Sequence, residues 1–377
     1  MSMRGRPAIG TGRWLTVVVA LSIWITACAP STPDQAGGNR NIVLITIDGV
    51  RWQEVFGGAD AALNNKEHGG VEDTAAVRRA YLAGDTSANR RALMPFLWGV
   101  VSGQGQLLGN RAVGSDVSVT NGFKFSYPGY NEMLTGQPDP RIDRNAYGPN
   151  PNVTVFEWLA PQLQPHATAA FGTWDVFADI FNQARAPMRV HAGWDPPFPG
   201  SAVPTQALLD TLYATTTRLW SIMPYDAFMQ AVVMEYVRTD RPQALYIGFG
   251  ETDEWAHEGR YDHYLDAAHR VDGFIRDLWT AMQAMPEYAG RTTFIITTDH
   301  GRGGGLQNWG DHGADVDGAE YIWVGVIGPD TPALGMRQGL SGLHQSQVAA
   351  TVAEAVGMDW SAASGAAPAL PVFEARD

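Results

Sequence analysis

The sequence has little cysteine, few charged residues and no long apolar run. Its single cysteine, Cys28, cannot form a disulfide within one chain, so the fold must be stabilised by its packed core. Charged residues make up only 17% of the 377 residues and hydrophobic residues make up 45%, which supplies a large core and excludes a disordered chain. Acids outnumber basic residues, and the net charge of -13 excludes a nucleic-acid scaffold, which needs a basic surface.

The N-terminal segment has the parts of an export signal. Three arginines precede an apolar stretch over residues 14–25 (WLTVVVALSIWI), which is too short to span a membrane comfortably. The small residues that end at Cys28 resemble the cleavage site of a bacterial lipoprotein, whose cysteine is lipidated. We therefore expect residues 1–27 to be a signal peptide, residues 28–40 a lipidated tether and residues 41–377 one folded domain.

The same resemblance implies a location. Cys28 is followed by alanine rather than aspartate, and lipoprotein sorting patterns then favour the outer membrane. We expect a protein held to the membrane by its lipid alone, with the folded domain in the periplasm or at the cell surface. The alternatives are an uncleaved N-terminal anchor and an ordinary thiol at Cys28.

Strand-like and helix-like patterns alternate after residue 40, with no internal repeat. The predicted strands are Asn41 to Ile47, Ala167 to Gly172, Ala244 to Phe249, Thr292 to Thr298 and Tyr321 to Ile327. The predicted helices are Pro151 to Leu163, Gln206 to Leu219, Tyr225 to Val237, Tyr261 to Met285 and Gln345 to Val356. This alternation predicts an α/β fold, a three-layer α/β/α sandwich with a mostly parallel sheet covered on both faces.

Acids and histidines follow three of these strands. Asp48 ends the first, Glu251 and Asp253 follow the strand at 244–249, and the Asp299-His300 pair follows the strand at 292–298. Ligands of open α/β sheets bind at the carboxyl ends of strands, so these groups should converge. A single aspartate at a strand end is commonly only a cap, but three such ends together indicate a site.

Two of these segments have spacings that suit a metal ion. Asp253 and His257 would lie one turn apart on the same face of a helix. Asp299 and His300 can both reach one cation from a turn. Oxygen and nitrogen ligands together suit zinc or manganese.

A serine begins another predicted helix, in the segment FSYPGYNEMLTG at residues 125–136. Pro128 suits the first turn of a helix and Gly136 suits its end, so Ser126 lies at or beside the N-cap. Ser126 could be an ordinary capping residue. It could also be a nucleophile, because a helix N-terminus favours an anion and a nearby metal would lower the pKa of the hydroxyl.

These segments, in this order, resemble the motifs of the alkaline phosphatase superfamily, and most closely its nucleotide pyrophosphatase/phosphodiesterase and phosphatase branch. The resemblance spans residues 41 to 357. It implies an alkaline-phosphatase-like catalytic domain with a serine nucleophile and two divalent metal ions, zinc or else manganese. The residues it implies for one ion are Asp48, Ser126, Asp299 and His300, and those for the other are Asp253, His257 and one further histidine.

The resemblance leaves that further histidine and the phosphate-binding group to be chosen. His312 lies in the loop after the DHG motif and is expected to complete the second set, whereas His344 is the alternative. Asn145 is expected to hydrogen-bond a phosphoryl oxygen, and the alternative is a turn residue beside so much proline and glycine. Arg144 and Arg302 are two other groups that could reach an anion.

The expected function is hydrolysis of a small-molecule phosphate ester through Ser126 and two metal ions. A sulfatase is disfavoured because the turn at Ser126 lacks the cysteine and arginine of the sulfatase motif. A phospho-group transferase and a catalytically inactive surface-binding lipoprotein remain alternatives. Four aromatic residues are expected to roof the pocket or to pack in the core: Trp174, Phe177, Trp194 and Phe198.

Overall fold

The β-branched run NIVLITI forms a fully buried strand at the centre of the molecule. The computed structural model describes residues 40–197 and 206–374. In this part of the chain the strands are β1 (Asn41–Ile47), β2 (Gln106–Leu108), β3 (Val117–Ser118), β4 (Thr168–Gly172), β5 (Arg189–Ala192), β6 (Ala244–Phe249), β7 (Thr292–Thr297), β8 (Tyr321–Ile322), β9 (Val324–Ile327), β10 (Gly335–Met336) and β11 (Leu343–His344).

The helices pack on both faces of these strands. The α-helices of the described residues are α1 (Trp52–Gly57), α2 (Lys66–Gly69), α3 (Thr74–Tyr81), α4 (Thr86–Leu93), α5 (Ser102–Gln104), α6 (Ser126–Thr135), α7 (Val155–Leu159), α8 (Phe177–Ile180), α9 (Gln206–Thr215), α10 (Asp226–Thr239), α11 (Glu251–His257), α12 (Tyr261–Gln283), α13 (Gly305–Asn308), α14 (Val348–Ala355) and α15 (Trp360–Ser364). A π-helix covers Leu97–Val101, and 3-10 turns cover Ala61–Leu63, Arg111–Val113 and Gln345–Gln347.

Within the described residues, eight strands form the main sheet in the order β10-β2-β9-β7-β1-β6-β4-β5. β1 pairs in parallel with β6 and with β7, and β4 pairs in parallel with β6 and β5. β9 is antiparallel to both of its neighbours, β7 and β2. A smaller sheet has the order β11-β3-β8. The predicted mostly parallel α/β fold is therefore confirmed.

Two apolar clusters cover the two faces of the main sheet, because alternate β1 side chains point in opposite directions. Val43 and Ile45 belong to the cluster that includes α10 and α12. Ile42 and Leu44 belong to the cluster that includes α6 and α14. The two clusters make the three layers that the sequence predicts.

Two predicted elements differ most from the structure. The predicted strand from Tyr321 to Ile327 divides at the buried Trp323, whose indole N–H donates to the Val50 carbonyl at 2.9 Å, so β8 and β9 lie in different sheets. The predicted helix from Pro151 to Leu163 is only α7, because the Thr154 side chain caps its start and accepts from Glu157 N–H.

The sequence predictions for residues 1–27 and for the tether at residues 28–39, including Cys28, lie outside the described residues. The compact unit that contains the described chain spans Gly37–Asp377. Among the described helices, none has the length and apolarity needed to cross a membrane.

Candidate active site

The carboxyl end of β1 places Asp48 beside the Asp299-His300 turn. β1 and β7 are parallel neighbours, so both end at the same edge of the sheet. Asp48 Oδ1 and Asp299 Oδ2 each lie 3.4 Å from His300 Nε2. The Gly49 N–H donates to Asp299 Oδ1 at 3.1 Å, which joins the two turns directly. One ligand atom from each of Asp48, Asp299 and His300 therefore lies within 4.8 Å of the others, and all three side chains are buried.

Ser126 is the first residue of α6, and its hydroxyl faces this cluster. Its Oγ lies 3.4 Å from His300 Nε2, and the residue is only 6% exposed. Phe125 occupies the N-cap position and no side chain caps the helix, so Ser126 is not a capping serine. The preceding Lys124 has a φ of +56°, a strained conformation for a residue with a side chain. The hydroxyl is thus presented at a helix N-terminus, where the backbone dipole favours an anion.

The second set of residues comes from α11 and from the loop after α13. Asp253 Oδ2 lies 3.2 Å from His257 Nε2. His312 Nε2 lies 2.9 Å from His257 Nε2 and 3.6 Å from Asp253 Oδ1. The rings of His312 and His300 stack with their centroids 4.0 Å apart, so the two sets adjoin. Asp253, His300 and His312 form a second group whose ligand atoms lie within 4.8 Å of one another.

The buried carboxylates of the first set, Asp48 and Asp299, favour a bound positive charge. Burial and the neighbouring Asp48 raise the pKa of Asp299 to about 8. Burial opposes protonation of His300, but Asp299 and Asp48 outweigh it and raise the pKa of His300 to about 9. His300 Nδ1 donates to the Gly301 carbonyl at 2.9 Å, which leaves Nε2 to face the two carboxylates. Carboxylates crowded this closely need a proton or a metal ion between them.

The donor atoms of both sets fit divalent metal ions. Asp48 Oδ1 and Asp299 Oδ2 are buried and have no hydrogen-bond partner among the described residues. Burial and then the neighbouring His300 lower the pKa of His257, and the same causes lower the pKa of His312 strongly. Both imidazoles are therefore neutral and able to act as ligands. Carboxylate and neutral imidazole together are a ligand combination typical of zinc.

Asn145 lies at the mouth of a cleft of about 170 Å³ that opens onto these residues. Its Oδ1 accepts from the Tyr127 N–H at 3.1 Å, so the asparagine also holds the first turn of α6. Because Asn145 lines the cleft, its amide N–H groups could donate to an anion bound there. Arg144 is not among the residues that line the cleft, and its exposed side chain pairs with Asp143 at 2.6 Å.

The aromatic residues that could roof the pocket divide between two roles. Trp174 lines the cleft, together with Met223. Phe177 is buried in the core, where its ring lies 4.8 Å from that of Tyr130. Trp194 packs 5.8 Å from the ring of Tyr213 and does not line the cleft. Phe198 lies outside the described residues.

His344 is not among the residues of either cluster. It ends β11 in the small sheet, and its Nδ1 lies 3.3 Å from the hydroxyl of Ser118. The next residue, Gln345, reaches the site instead, because its side-chain amide donates to the Asp299 carbonyl at 2.6 Å. The structure thus brings His312, and not His344, to the second set.

Sequence reasoning missed several supporting groups. The Tyr130 hydroxyl, one turn along α6 from Ser126, donates to Asp48 Oδ2 at 2.8 Å. The buried Glu132 carboxylate accepts from the Thr120 and Asn121 N–H groups, which fixes the loop before the serine. The helical spacing of Ser126 and Tyr130 is readable in the sequence, but the approach of Asp48 is set by tertiary structure.

The fold is shared with solved structures of low sequence identity. A protein in the alkaline phosphatase superfamily from Vibrio parahaemolyticus is 12% identical, with a TM-score of 0.50 over 86% of this chain and 67% of that one. The lipoteichoic acid synthase LtaP from Listeria monocytogenes is 11% identical, with a TM-score of 0.53 over 86% of this chain and 73% of that one. A protein from Bacteroides thetaiotaomicron assigned to the sulfatases is 12% identical, with a TM-score of 0.52 over 89% and 76% of the two chains.

The chain therefore has the fold of the alkaline phosphatase superfamily, as its motifs predicted. No family model matches the chain, and no curated protein matches its sequence.

Proposed function

We propose that this protein is a metal-dependent hydrolase of phosphate esters that acts through Ser126. The observation that carries the proposal is the position of the buried Ser126 hydroxyl, which caps no helix and lies 3.4 Å from His300 Nε2. Beside it lie Asp48 Oδ1 and Asp299 Oδ2, which have no hydrogen-bond partner among the described residues. A nucleophile, an anion-favouring helix N-terminus and two adjoining ligand sets are the parts that a two-metal phosphoryl transfer needs.

The proposed metal ligands follow from the two groups. Asp48, Ser126, Asp299 and His300 would hold one divalent ion, and Asp253, His257 and His312 would hold the other. Such ions, zinc by the donor set, would supply positive charge for the serine oxygen and for the departing oxygen. His300 adjoins both groups, because its ligand atom also lies within 4.8 Å of those of Asp253 and His312.

In the proposed reaction, Ser126 Oγ attacks phosphorus and forms an Oγ–P bond while the P–O bond to the leaving group breaks, and the departing oxygen takes a proton from solvent to give the alcohol. The serine proton leaves to solvent or to a site base. Water then attacks the phosphoserine, which breaks the Oγ–P bond, releases phosphate or a phosphomonoester, and restores the serine. The Asn145 amide N–H groups would donate to a phosphoryl oxygen and so orient phosphorus toward the serine.

Sulfate esters are the nearest competing substrates, because a protein assigned to the sulfatases shares the fold. The turn at the nucleophile is Ser126-Tyr127-Pro128-Gly129-Tyr130, so it has neither a cysteine nor an arginine. A serine hydroxyl beside metal-ligand candidates suits direct attack on phosphorus, which favours the phosphate ester.

A substrate panel tests the proposal. We would measure hydrolysis of an aryl phosphate monoester, an aryl phosphodiester and an aryl sulfate by the metal-loaded protein, with chelator-treated protein as the control. We expect phosphate-ester hydrolysis that chelator removes and added zinc or manganese restores. Hydrolysis of the sulfate alone would contradict the phosphate assignment, and activity that survives removal of all metal would contradict the two-metal site.

We also propose that the protein is exported and lipid-anchored at Cys28. The support is the sequence alone: a basic start, a short apolar stretch and small residues before the single cysteine. A phosphate-ester hydrolase outside the cytoplasm would act on small molecules or headgroups in the periplasm or at the cell surface.

A further inference from the structure

Arg302 lies two residues after His300 and is buried at the centre of the candidate site, with an exposure of 1%. From sequence it could have been a surface residue or an anion-binding residue. In the structure, its three guanidinium nitrogens all donate to protein acceptors. Nε donates to the Gly49 carbonyl at 3.0 Å, Nη1 donates to the Gly310 carbonyl, and Nη2 donates to Asp253 Oδ1.

These three acceptors belong to three different segments that carry the proposed metal ligands. Gly49 follows Asp48 directly, Asp253 is itself a proposed ligand, and Gly310 lies two residues before His312. Arg302 itself belongs to the fourth ligand-bearing segment. One planar guanidinium therefore holds all four segments at fixed distances, which a single ammonium group cannot do with the same geometry.

Two glycines, Gly49 and Gly310, allow the close backbone approaches around the Arg302 guanidinium. A Cβ on Gly49 would lie 2.6 Å from Arg302 Nη2, and this glycine also has a φ of +59°. A Cβ on Gly310 would lie 2.6 Å from the Ala256 carbonyl oxygen, so the His312 loop rests directly on α11. Both glycines thus permit approaches that any side chain would block.

A second buried arginine anchors the segment that carries Arg302. Arg51 Nη1 donates to the Gly303 carbonyl at 3.1 Å, and its Nε donates to Glu54 at 2.7 Å. The Tyr261 hydroxyl also donates to Glu54, at 2.9 Å. Because Arg51 is paired and buried, it holds the backbone beside Arg302 without approaching Asp253 itself.

We propose that Arg302 is a positioning residue that assembles the second metal set, by holding Asp253 and the His312 loop against the turn of Asp48. This inference rests on the proposed function, since it assumes that the set binds a metal ion. Outer groups that orient ligands typically contribute 10- to 100-fold, in order of magnitude, to metal affinity. Loss of the Arg302 guanidinium should therefore lower the affinity for the second ion selectively. The set of Asp48, Asp299 and His300 should still bind its own ion.

The experiment is a zinc titration of the full chain and of Arg302→Met and Arg302→Lys, read as bound ions per chain and as dissociation constants. Arg185→Met is the matched control, because Arg185 also donates to backbone carbonyls and to a carboxylate, that of Glu157, away from the site. We expect two ions on the wild type and the control. We expect the second ion to bind about 10- to 100-fold more weakly to both Arg302 variants.

The outcomes separate the inference from the proposed function. A wild type that binds no pair of ions contradicts the proposed function itself. If the wild type binds two ions and a folded Arg302→Lys binds both with unchanged affinity, the positioning role is wrong. Tighter binding of the second ion by Arg302→Met would also overturn it, because the guanidinium would then compete with the metal. The second readout is activity: Arg302→Lys should be less active at low zinc and should recover activity at high zinc. Added zinc would not restore the activity of a variant with a general folding defect.

Discussion

At the scale of single residues, Tyr130 supports the proposed ligand Asp48. Its hydroxyl donates to Asp48 Oδ2 at 2.8 Å, and both residues are buried. Burial would raise the pKa of Asp48, but the neighbouring His300 and the Tyr130 hydroxyl outweigh it and hold that pKa below its usual value. Removal of the hydroxyl leaves a buried carboxylate with one donor fewer.

We therefore predict that Tyr130→Phe lowers kcat/KM about 10-fold and weakens metal binding by a similar factor, as expected for loss of a group that orients a ligand. Tyr288→Phe is the matched control, because its buried hydroxyl donates to the Pro242 carbonyl at 2.9 Å, away from the site. Steady-state kinetics and zinc titration would check both variants. Equal effects of the two substitutions would contradict a specific role of Tyr130.

A second residue, His191, lies away from the candidate site and makes the free energy of unfolding depend on pH. Its Nε2 is buried without a hydrogen-bond partner among the described residues. Burial, and then Arg189, lower the pKa of His191 to about 4. The unfolded chain takes up this proton near pH 6.5, so the folded state loses stability as the pH falls from 6.5 toward 4.

We predict that His191→Phe removes this part of the pH dependence. At pH 5 the wild type should have lost about 2 kcal/mol of unfolding free energy through this histidine, and almost none at pH 7.5. A ring of similar size keeps the contacts with Phe171 and Tyr213. Urea unfolding at both pH values would measure the difference, and an equal loss in the two proteins on acidification would rule out His191 as the cause.

At the scale of elements, α6 is placed by a glycine. A Cβ on Gly129 would lie 2.3 Å from the Asp299 carbonyl oxygen, so the helix that carries Ser126 lies directly against the turn that carries Asp299 and His300. The segment SYPGYNEMLTG thus encodes both the serine and the close approach that the serine needs.

We predict that Gly129→Ala lowers turnover at least 10-fold, because the added methyl group pushes α6 from the Asp299 turn, although alanine is the better helix former. Gly273→Ala, in α12, is the control, since its nearest neighbouring atom is a distal nitrogen of Arg276 at 4.0 Å. That substitution should stabilise the protein by up to about 1 kcal/mol and leave turnover unchanged. Kinetics and thermal unfolding of both variants would show whether the two effects separate.

The sequence predicts elements with strong patterns better than it predicts their contacts. β1 is predicted with its observed bounds because NIVLITI is an unbroken β-branched run. Short helices such as α1 and α4 lack such periodicity over enough residues to be recognised. The sequence does not decide the role of Arg302, because an arginine after a DHG motif carries no local sign of burial. Its environment is set by Gly49, Asp253 and Gly310, which are distant in sequence.

At the scale of the whole molecule, the site depends on the complete sheet. Its residues come from the ends of β1, β6 and β7, from the start of α6 and from the loop after α13. Parallel pairing of β1 with β6 and β7 brings the first three together at one edge of the sheet. We therefore expect the ligand sets to form only in the folded chain, so metal should stabilise the protein against unfolding.

The proposed membrane anchor also belongs to the whole molecule. We predict that Cys28→Ser releases the protein from the membrane fraction or blocks its processing, because several acyl chains at about 0.8 kcal/mol per buried methylene are lost together. Fractionation and mass measurement of the N-terminus would test this. Unchanged membrane association and processing of the variant would contradict lipidation at Cys28.

The central claim is that Ser126 is the nucleophile, and the most direct measurement compares wild type and Ser126→Ala on an aryl phosphate ester under single-turnover conditions. Acid quenching and peptide mass spectrometry should find a phosphoryl group on Ser126 of the wild type. Ser126→Ala should stay folded, since its side chain caps no helix, keep most of its metal, and lose several orders of magnitude in turnover. If folded, metal-loaded Ser126→Ala hydrolysed the ester at a near-wild-type rate, water and not the serine would be the nucleophile, and the account would be wrong.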